Sequence, residues 1–417
     1  MRRALLEVYR RAIARHNQNF SRSHFDHLFA PQTGGGRAFS SDISLSKTIS
    51  EYLDDYERRA SIKGVREKRR HDIQVGTDLV LEVMGSDTTV QSVNRKMCRE
   101  FVDILSKMPP NRNKKFNKLP LDKVLLIVAK DDLEPMKKAT QSSYLATLVN
   151  VLEFARLEGY IDRNPAEGLT PMALTVPDEE KRDPYTPEHL QKIFTAPIFT
   201  GCVNDERSFN KPGPNYPKRS RFWLPLISLF TGMRMNEICQ LNLTDVKCTD
   251  TGTHYFHVFP DTEDQSVKNK SSRRKCPIHP MLIRLGLLDY IDDLSEKNET
   301  KVFPDIPPAK STGYRSDVFT KRFATFQKGV GIPSKVGTFP NEQRFSFHSF
   351  RHNYRDELRN TGASIEIVEL LGGWASGNKA VHQDYGKGYT PDRLFKYVKK
   401  IDFPGLDLSH LYPKKKK

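Results

Sequence analysis

The sequence predicts a mainly α protein of two helical domains, the second carrying a small antiparallel β-sheet. Three observations predict it. Apolar residues recur at helical spacing over most of the chain. That pattern is interrupted at TPMALTVPDEEKRDPYTPEHL, where prolines at 171, 177, 184 and 187 and mixed charges read as an interdomain linker. Strand-like character is confined to HYFHVFP, from His254, and RRKCPIHP, from Arg273, with DTEDQSVKNKSS as the hairpin loop between them. A chain of 417 residues is also long for a single ordinary domain.

Taken in order, residues 1–41 combine a basic amphipathic stretch, MRRALLEVYRRAIARHNQNF, with the glycine-rich PQTGGGRAFSS, a helix and linker. The stretch lacks the apolar h-region of a secretory signal. A helix then starts with Ser46 as cap and Ile49, Tyr52, Leu53 and Tyr56 on one face. Further periodic runs span Asp72–Met84 and Val90–Leu105. A loop with a basic cluster, MPPNRNKKFNKLP, follows. From Thr140 a long helix places Tyr144, Leu145, Leu148, Val149, Leu152 and Ala155 together and stops near Gly159. Residues 42–172 are therefore a helical domain, 173–186 a linker, and 187–417 the second domain. There Thr186 caps a helix with Pro187 at its first position. A polar loop covers 196–220. FWLPLISLF forms a buried helix ending at Thr231-Gly232, and Trp223 within it is a packing residue. MLIRLGLLDYIDDL and VFTKRFATFQKGVGI are helices, 345–389 supplies two more, and Thr390-Pro391 opens the last.

Lys and Arg outnumber Asp and Glu by 67 to 51, a net charge of +16 and a pI near 9.5. A chain this basic is a candidate nucleic-acid binder. The five cysteines (Cys98, Cys202, Cys239, Cys248, Cys276) are scattered and form no C-x-x-C pair, which speaks against a disulfide framework or a zinc site and for a reduced, intracellular protein. No apolar run approaches the ~20 residues of a membrane span. Neither a glycine-rich nucleotide loop nor an acidic metal cluster occurs, so neither metal nor another cofactor is expected.

The chemistry-bearing residues fall in three places. TGMRMNEICQL sets Arg234 just after a glycine turn, with Glu237 three residues on. KNKSSRRKCPI offers Lys268 and Lys270 on the hairpin, and Arg274. FSFHSFRHNYRDELRNTGASIEIVELLGGWASGNKAVHQDYGKGY holds His348, Arg351, Gly372, Gly373, Trp374 and Tyr385. Arginine forks match phosphate oxygens. A tyrosine hydroxyl can act as a covalent nucleophile. Tyr389 precedes the Thr390-Pro391 cap and reads as a helix staple, leaving Tyr385 as the candidate nucleophile.

In order, T-G-x-R-x-x-E-[IL]-x-x-L, K-x(3)-S-x-R-x-x-P-[IL], H-x-x-R, a Leu-Gly-Gly-Trp turn and a tyrosine 11 residues after Trp374 resemble the tyrosine recombinase (phage integrase) family. The resemblance covers roughly 42–401, leaving out 1–41 and the terminal lysine run. It implies that 42–172 is a core-binding (SAM-like) domain and that the two domains form a C-shaped DNA clamp. It implies that Tyr385 forms a 3′-phosphotyrosine, that Arg234 and Arg351 hold the non-bridging oxygens, and that His348 assists proton transfer. Lys268 is the implied general acid, with Lys270 in competition. Glu237 buttresses the site. Trp374 stands where many members have a second histidine, and an indole N–H donates but is no acid or base at neutral pH; chemistry and packing both stay open for it. Lys68, Arg69, Lys114, Lys115, Lys270 and Arg274 are expected DNA contacts. The implied partners are double-stranded recombination sites, three further copies in a tetramer, and accessory DNA-bending or directionality proteins, in the cytoplasm and with no membrane. The 390–417 segment would include the helix that docks on a neighbour. The alternatives are a type IB topoisomerase, which shares the chemistry, and a non-catalytic DNA-binding protein on the same fold.

Overall fold

The computed structural model describes residues 42–63, 67–117, 119–171, 182–262, 264–267, 270–310, 312–336, 343–374 and 388–413. The chain forms two compact units, the second beginning at Val176 and also taking in Lys63–His71, and each has its own apolar core.

The first unit is helical. Its elements are α1 (Leu45–Lys63), α2 (Glu67–Met84), α3 (Arg95–Lys107), the short α4 (Arg112–Lys115), α5 (Leu121–Asp131) and α6 (Lys138–Leu157). Helix α1 begins two residues earlier than a Ser46 cap would set it. The Ser44 hydroxyl takes the cap by accepting from the Lys47 backbone N–H at 3.3 Å, and it lies 3.0 Å from the Ser46 hydroxyl. The run from Val90 splits because Asn94 caps α3, its Oδ1 accepting from the backbone N–H of Lys96 and Met97. Helix α5 lies in LDKVLLIVAKD, whose periodicity the sequence reading leaves unassigned. The core joins Leu45, Ile49 and Tyr52 of α1 to Phe101 and Leu105 of α3 and Leu148, Val151 and Leu152 of α6.

The second unit opens with α7 (Pro187–Phe194), α8 (Pro197–Thr200), α9 (Ser220–Thr231) and α10 (Met235–Cys239). Thr186 caps α7 by accepting from the His189 N–H at 3.2 Å. The strands β1 (Val246–Cys248), β2 (His254–Val258) and β3 (Arg274–Pro277) form one antiparallel sheet in that order. The expected hairpin is β2–β3, in the register Phe256↔Cys276 and Val258↔Arg274. β1, at three residues, is too short to show a period in sequence. Helices α11 (Pro280–Arg284), α12 (Leu287–Glu296) and α13 (Arg315–Gly329) follow. Next come a two-stranded ladder, β4 (Lys335–Val336) and β5 (Gln343–Arg344), then α14 (Ser349–Asn360), α15 (Ile365–Gly372) and α16 (Pro391–Val398). Mainly α with small antiparallel sheets is thus the observed class, as predicted.

The core of this unit is aromatic. Trp223 is fully buried in α9, as expected of a packing residue. Phe345, Phe347 and Phe350 pack inward, with Phe345 stacked on Tyr185 and Phe347 edge-on to Phe323. Asn353 clamps the start of the unit to α14, accepting from the Tyr185 N–H at 2.9 Å and donating to its carbonyl at 2.7 Å. The segment after α15 packs on its own unit. Leu394, Val398, Ile401, Phe403, Leu408 and Leu411 are buried in the core of their own unit. Gln191 of α7 holds Asp407 through two backbone hydrogen bonds, and Arg284 lies over the Tyr412 ring. Helix α16 is therefore a structural part of its own chain, because its apolar stripe completes that core. Among the described residues no helix is long and apolar enough to cross a membrane.

Candidate active site

Two glycine-bearing turns shape the site. Helix α9 ends at Gly232, whose φ of 63° is left-handed, and whose hydrogen occupies the place where a Cβ would lie 2.3 Å from Tyr354 Cδ1. Only glycine lets this turn lie against the Tyr354 ring. Arg234 then sits at the N-cap of α10. Its backbone N–H donates to Glu237 Oε2 at 3.0 Å. The Gly-Gly-Trp turn ends α15. A Cβ on Gly372 would strike the Trp374 ring, and Gly373 adopts φ 61° with Arg274 Nη1 close by.

The Arg234 guanidinium donates through Nη1 to Glu237 Oε1 at 2.7 Å and to Ser272 Oγ at 2.9 Å. Through Nη2 it donates to the Gly373 carbonyl at 2.9 Å. Arg234 thus ties α10, the β2–β3 loop and the Gly-Gly-Trp turn into one unit. Glu237 is buried and also accepts from Arg274 Nη2 at 2.9 Å. Burial alone would raise its pKa; the Arg274 guanidinium, then that of Arg234, overcomes this and holds it down to about 2. Glu237 thereby links the Arg234 and Arg274 guanidiniums.

Arg351, on the first turn of α14, is 2% exposed. Its Nη1 donates to the Gly232 carbonyl. Its Nη2 has no hydrogen-bond partner among the described residues. Burial, then the charges of Arg274 and Arg234, push its pKa down to about 9, so it stays charged at pH 7 at an electrostatic cost. The Trp374 ring lies 4.5 Å beneath its guanidinium and 5.9 Å from that of Arg355. Trp374 is therefore at least a packing surface for the Arg351 charge. His348 precedes α14 on the same side, its ring 5.4 Å from that of His352. Its pKa is depressed to about 4, by desolvation and then by Arg351, His352 and Arg234 among others. The imidazole is neutral at pH 7, able to accept a proton.

The structure brings together Arg234, Glu237, His348, Arg351 and Trp374. Lys268 and Tyr385 lie outside the described residues, as do the side chains of Lys68 and Lys270. The competing tyrosines are occupied. Tyr389 donates to Glu366 Oε2 at 3.3 Å under Arg393, and Tyr412 lies under Arg284. Arg69, Lys114 and Lys115 are exposed. Helix α4 is held by Arg112, whose guanidinium grips Glu82 of α2 at 2.6 and 2.5 Å.

Arg274 is the correction. Its side chain has no exposed surface. Nε donates to the Leu371 carbonyl, Nη1 to that of Ser272 and Nη2 to Glu237, each at 2.9 Å. It cannot touch DNA, because strand alternation turns it inward beside Cys276. Ser272 is the serine of the K-x(3)-S-x-R-x-x-P-[IL] pattern, and its role, accepting from Arg234, is seen only in the folded loop. The anchor of the hairpin loop has no such sequence signal. Gln240 accepts from the Ser266 N–H and donates to its carbonyl, while Gln265 donates to Asp245 Oδ2 at 2.7 Å. Among the described residues no group of three or more His, Cys, Asp and Glu side chains could hold a metal ion.

The candidate site is thus a cluster of arginines gathered by glycine turns around a buried carboxylate. Residues 216–387, less than half of the chain, match the phage integrase family, and the chain carries a phage integrase domain over that span. No curated protein matches the chain. Among solved structures, a lambda integrase tetramer bound to a Holliday junction is 17% identical, over 89% of this chain and 88% of that one, with a TM-score of 0.47. The Tn1549 transposon integrase in complex with a circular intermediate DNA is 14% identical, over 80% and 92%, with a TM-score of 0.48. The integrase from mycobacterium phage Brujita is 13% identical, over 88% and 98%, with a TM-score of 0.32. At these scores the likeness is distant, and the assignment rests on the matched segment.

Proposed function

We propose that the protein is a site-specific DNA recombinase that breaks and rejoins strands through a phosphotyrosine at Tyr385. The observation that carries the reading is the buried Arg351 guanidinium, one nitrogen of which lacks a partner among the described residues, beside a second arginine and a neutral histidine. A charge withdrawn from water with an unused donor is costly unless an anion completes it. A phosphodiester between Arg234 and Arg351 supplies that anion.

The chemistry follows. The Tyr385 oxygen bonds to phosphorus and the P–O5′ bond breaks. The tyrosine proton passes to a base, His348 being the neutral candidate, and the leaving 5′-oxygen takes a proton from Lys268. Two fixed guanidiniums stabilise the added charge on the phosphorane without losing their own protons. The tyrosyl ester keeps the energy of the broken bond, so rejoining by a 5′-hydroxyl needs no nucleotide and the step needs no metal. The partners are double-stranded DNA sites, with four copies acting on two of them inside the cell. The tetramer named in the lambda integrase structure is the precedent for that assembly.

Nicked duplexes with a randomised segment, incubated with the purified chain, test this. Wild type is expected to retain DNA through denaturing gel electrophoresis, and Tyr385→Phe to retain none. An adduct on the phenylalanine variant would remove Tyr385 from the role. Equal relaxation of unrelated supercoiled plasmids would turn the reading to a topoisomerase.

A further inference from the structure

We propose that Arg274 is a positioning residue that never meets DNA and sets the net charge of the phosphate site to match the transition state. The inference rests on the recombinase reading above.

Glu237 offers two oxygens. One takes Arg234 Nη1; the other takes the Arg234 backbone N–H and Arg274 Nη2. Were Arg274 absent, Arg234 alone would balance this buried carboxylate. The Arg234 guanidinium would then be half of a neutral pair and of little use to a phosphate. With Arg274 the cluster holds three guanidiniums, of Arg274 and Arg351, both buried, and of the partly buried Arg234, against one carboxylate, a net charge of two. A phosphodiester bears one negative charge and its phosphorane two. The cluster therefore favours the phosphorane over the bound ground state, which is what accelerates a reaction. Removing Arg274 leaves a net charge that suits the ground state.

The geometry keeps Arg274 out of the substrate's reach. Three backbone and carboxylate acceptors, from Leu371, Ser272 and Glu237, use Nε, Nη1 and Nη2. A Cβ on Gly373 would come within 2.9 Å of Nη1, so the Gly-Gly-Trp turn is shaped around this side chain as well as around Trp374.

The test measures single-turnover adduct formation on a nicked duplex recovered from the randomised pool. Arg274→Met is expected to slow cleavage by roughly 100-fold, the scale of one electrostatic donor, with duplex affinity within a few-fold of wild type. The double variant Arg274→Met/Glu237→Gln restores the net charge of two and is expected to recover at least about tenfold of that loss. On a duplex with a neutral methylphosphonate at the cleaved position, the deficit of Arg274→Met should shrink to a few-fold, since less charge develops. A double variant no faster than the single, with an unchanged methylphosphonate deficit, would overturn the charge role and leave a structural one. If Arg274→Met lacks a native melting transition, Arg274→Lys decides. Folded and within about tenfold of wild type it supports the charge role, and folded but slowed beyond ~100-fold it overturns it. Should wild type form no adduct, the recombinase reading fails first; should wild type react and the charge restoration fail, only the Arg274 inference falls.

Discussion

A carboxylate that accepts from two arginines gives up those bonds when it takes a proton. Glu237 is buried, and its pKa in the folded chain is about 2, against ~4.3 for an unfolded glutamate. The folded value is the lower one, so the folded state holds the proton less tightly. The resulting stability is present above pH ~4.3 and is lost as pH falls from about 4 toward 2. At full strength it is on the order of 3 kcal/mol. Chemical denaturation of wild type and Glu237→Gln from pH 7 to pH 2 measures it. Wild type should be the more stable at pH 7, and the difference should close at the acid end. A constant difference across that range would show that the carboxylate charge contributes nothing.

At the scale of the element, the turns matter more than the helices they end. Gly232 closes α9, presents its carbonyl to Arg351 and lies against Tyr354. Gly252 also has a positive φ, 88°, but nothing within 4 Å of an added Cβ. Gly252→Ala should therefore cost only the backbone strain, about 1 kcal/mol. Gly232→Ala adds the collision with a fully buried ring and should cost at least about 3 kcal/mol, with adduct formation lost in what still folds. Thermal melts of the two variants compare them directly, and equal losses would mean the Tyr354 contact is easily relieved. The same turns explain what was legible in the sequence. Arg234, His348 and Arg351 announce themselves because each follows a glycine turn or shares a helical face, and both are local patterns. The β2–β3 hairpin was legible from its alternation. Arg274 was not, because KNKSSRRK reads as one solvated basic run until the strand register assigns alternate residues to opposite faces. Cys276, two residues on, was the available signal: it and Arg274 share a face, and a cysteine there is buried. Helix α5 follows Pro120 with no capping side chain, so no start signal marks it in the sequence. The role of α16 depended on which core it completes, a long-range fact that local spacing does not carry.

For the whole molecule the question is which of its many cations face DNA. A net charge of +16 favours sequence-independent attraction to a duplex. Each phosphate that is neutralised releases condensed counterions, and the slope of log affinity against log salt falls by about 0.9 per contact on B-form DNA. Lys114 and Lys115 are exposed on α4, a short helix fixed by the paired Arg112–Glu82 bonds, so their charges are held in place. The double variant Lys114→Ala/Lys115→Ala should lower the slope by about 1.8 and weaken all duplexes alike. Arg274→Met removes a charge too, but one sealed behind Leu371, Ser272 and Glu237, with no phosphate to release counterions from. Its slope should equal that of wild type. Fluorescence anisotropy of an arbitrary labelled duplex between about 50 and 200 mM salt measures both. An unchanged slope in the lysine double variant would take α4 off the DNA. A lowered slope in Arg274→Met would mean that this arginine reaches the backbone after all, and that the site opens when DNA is bound.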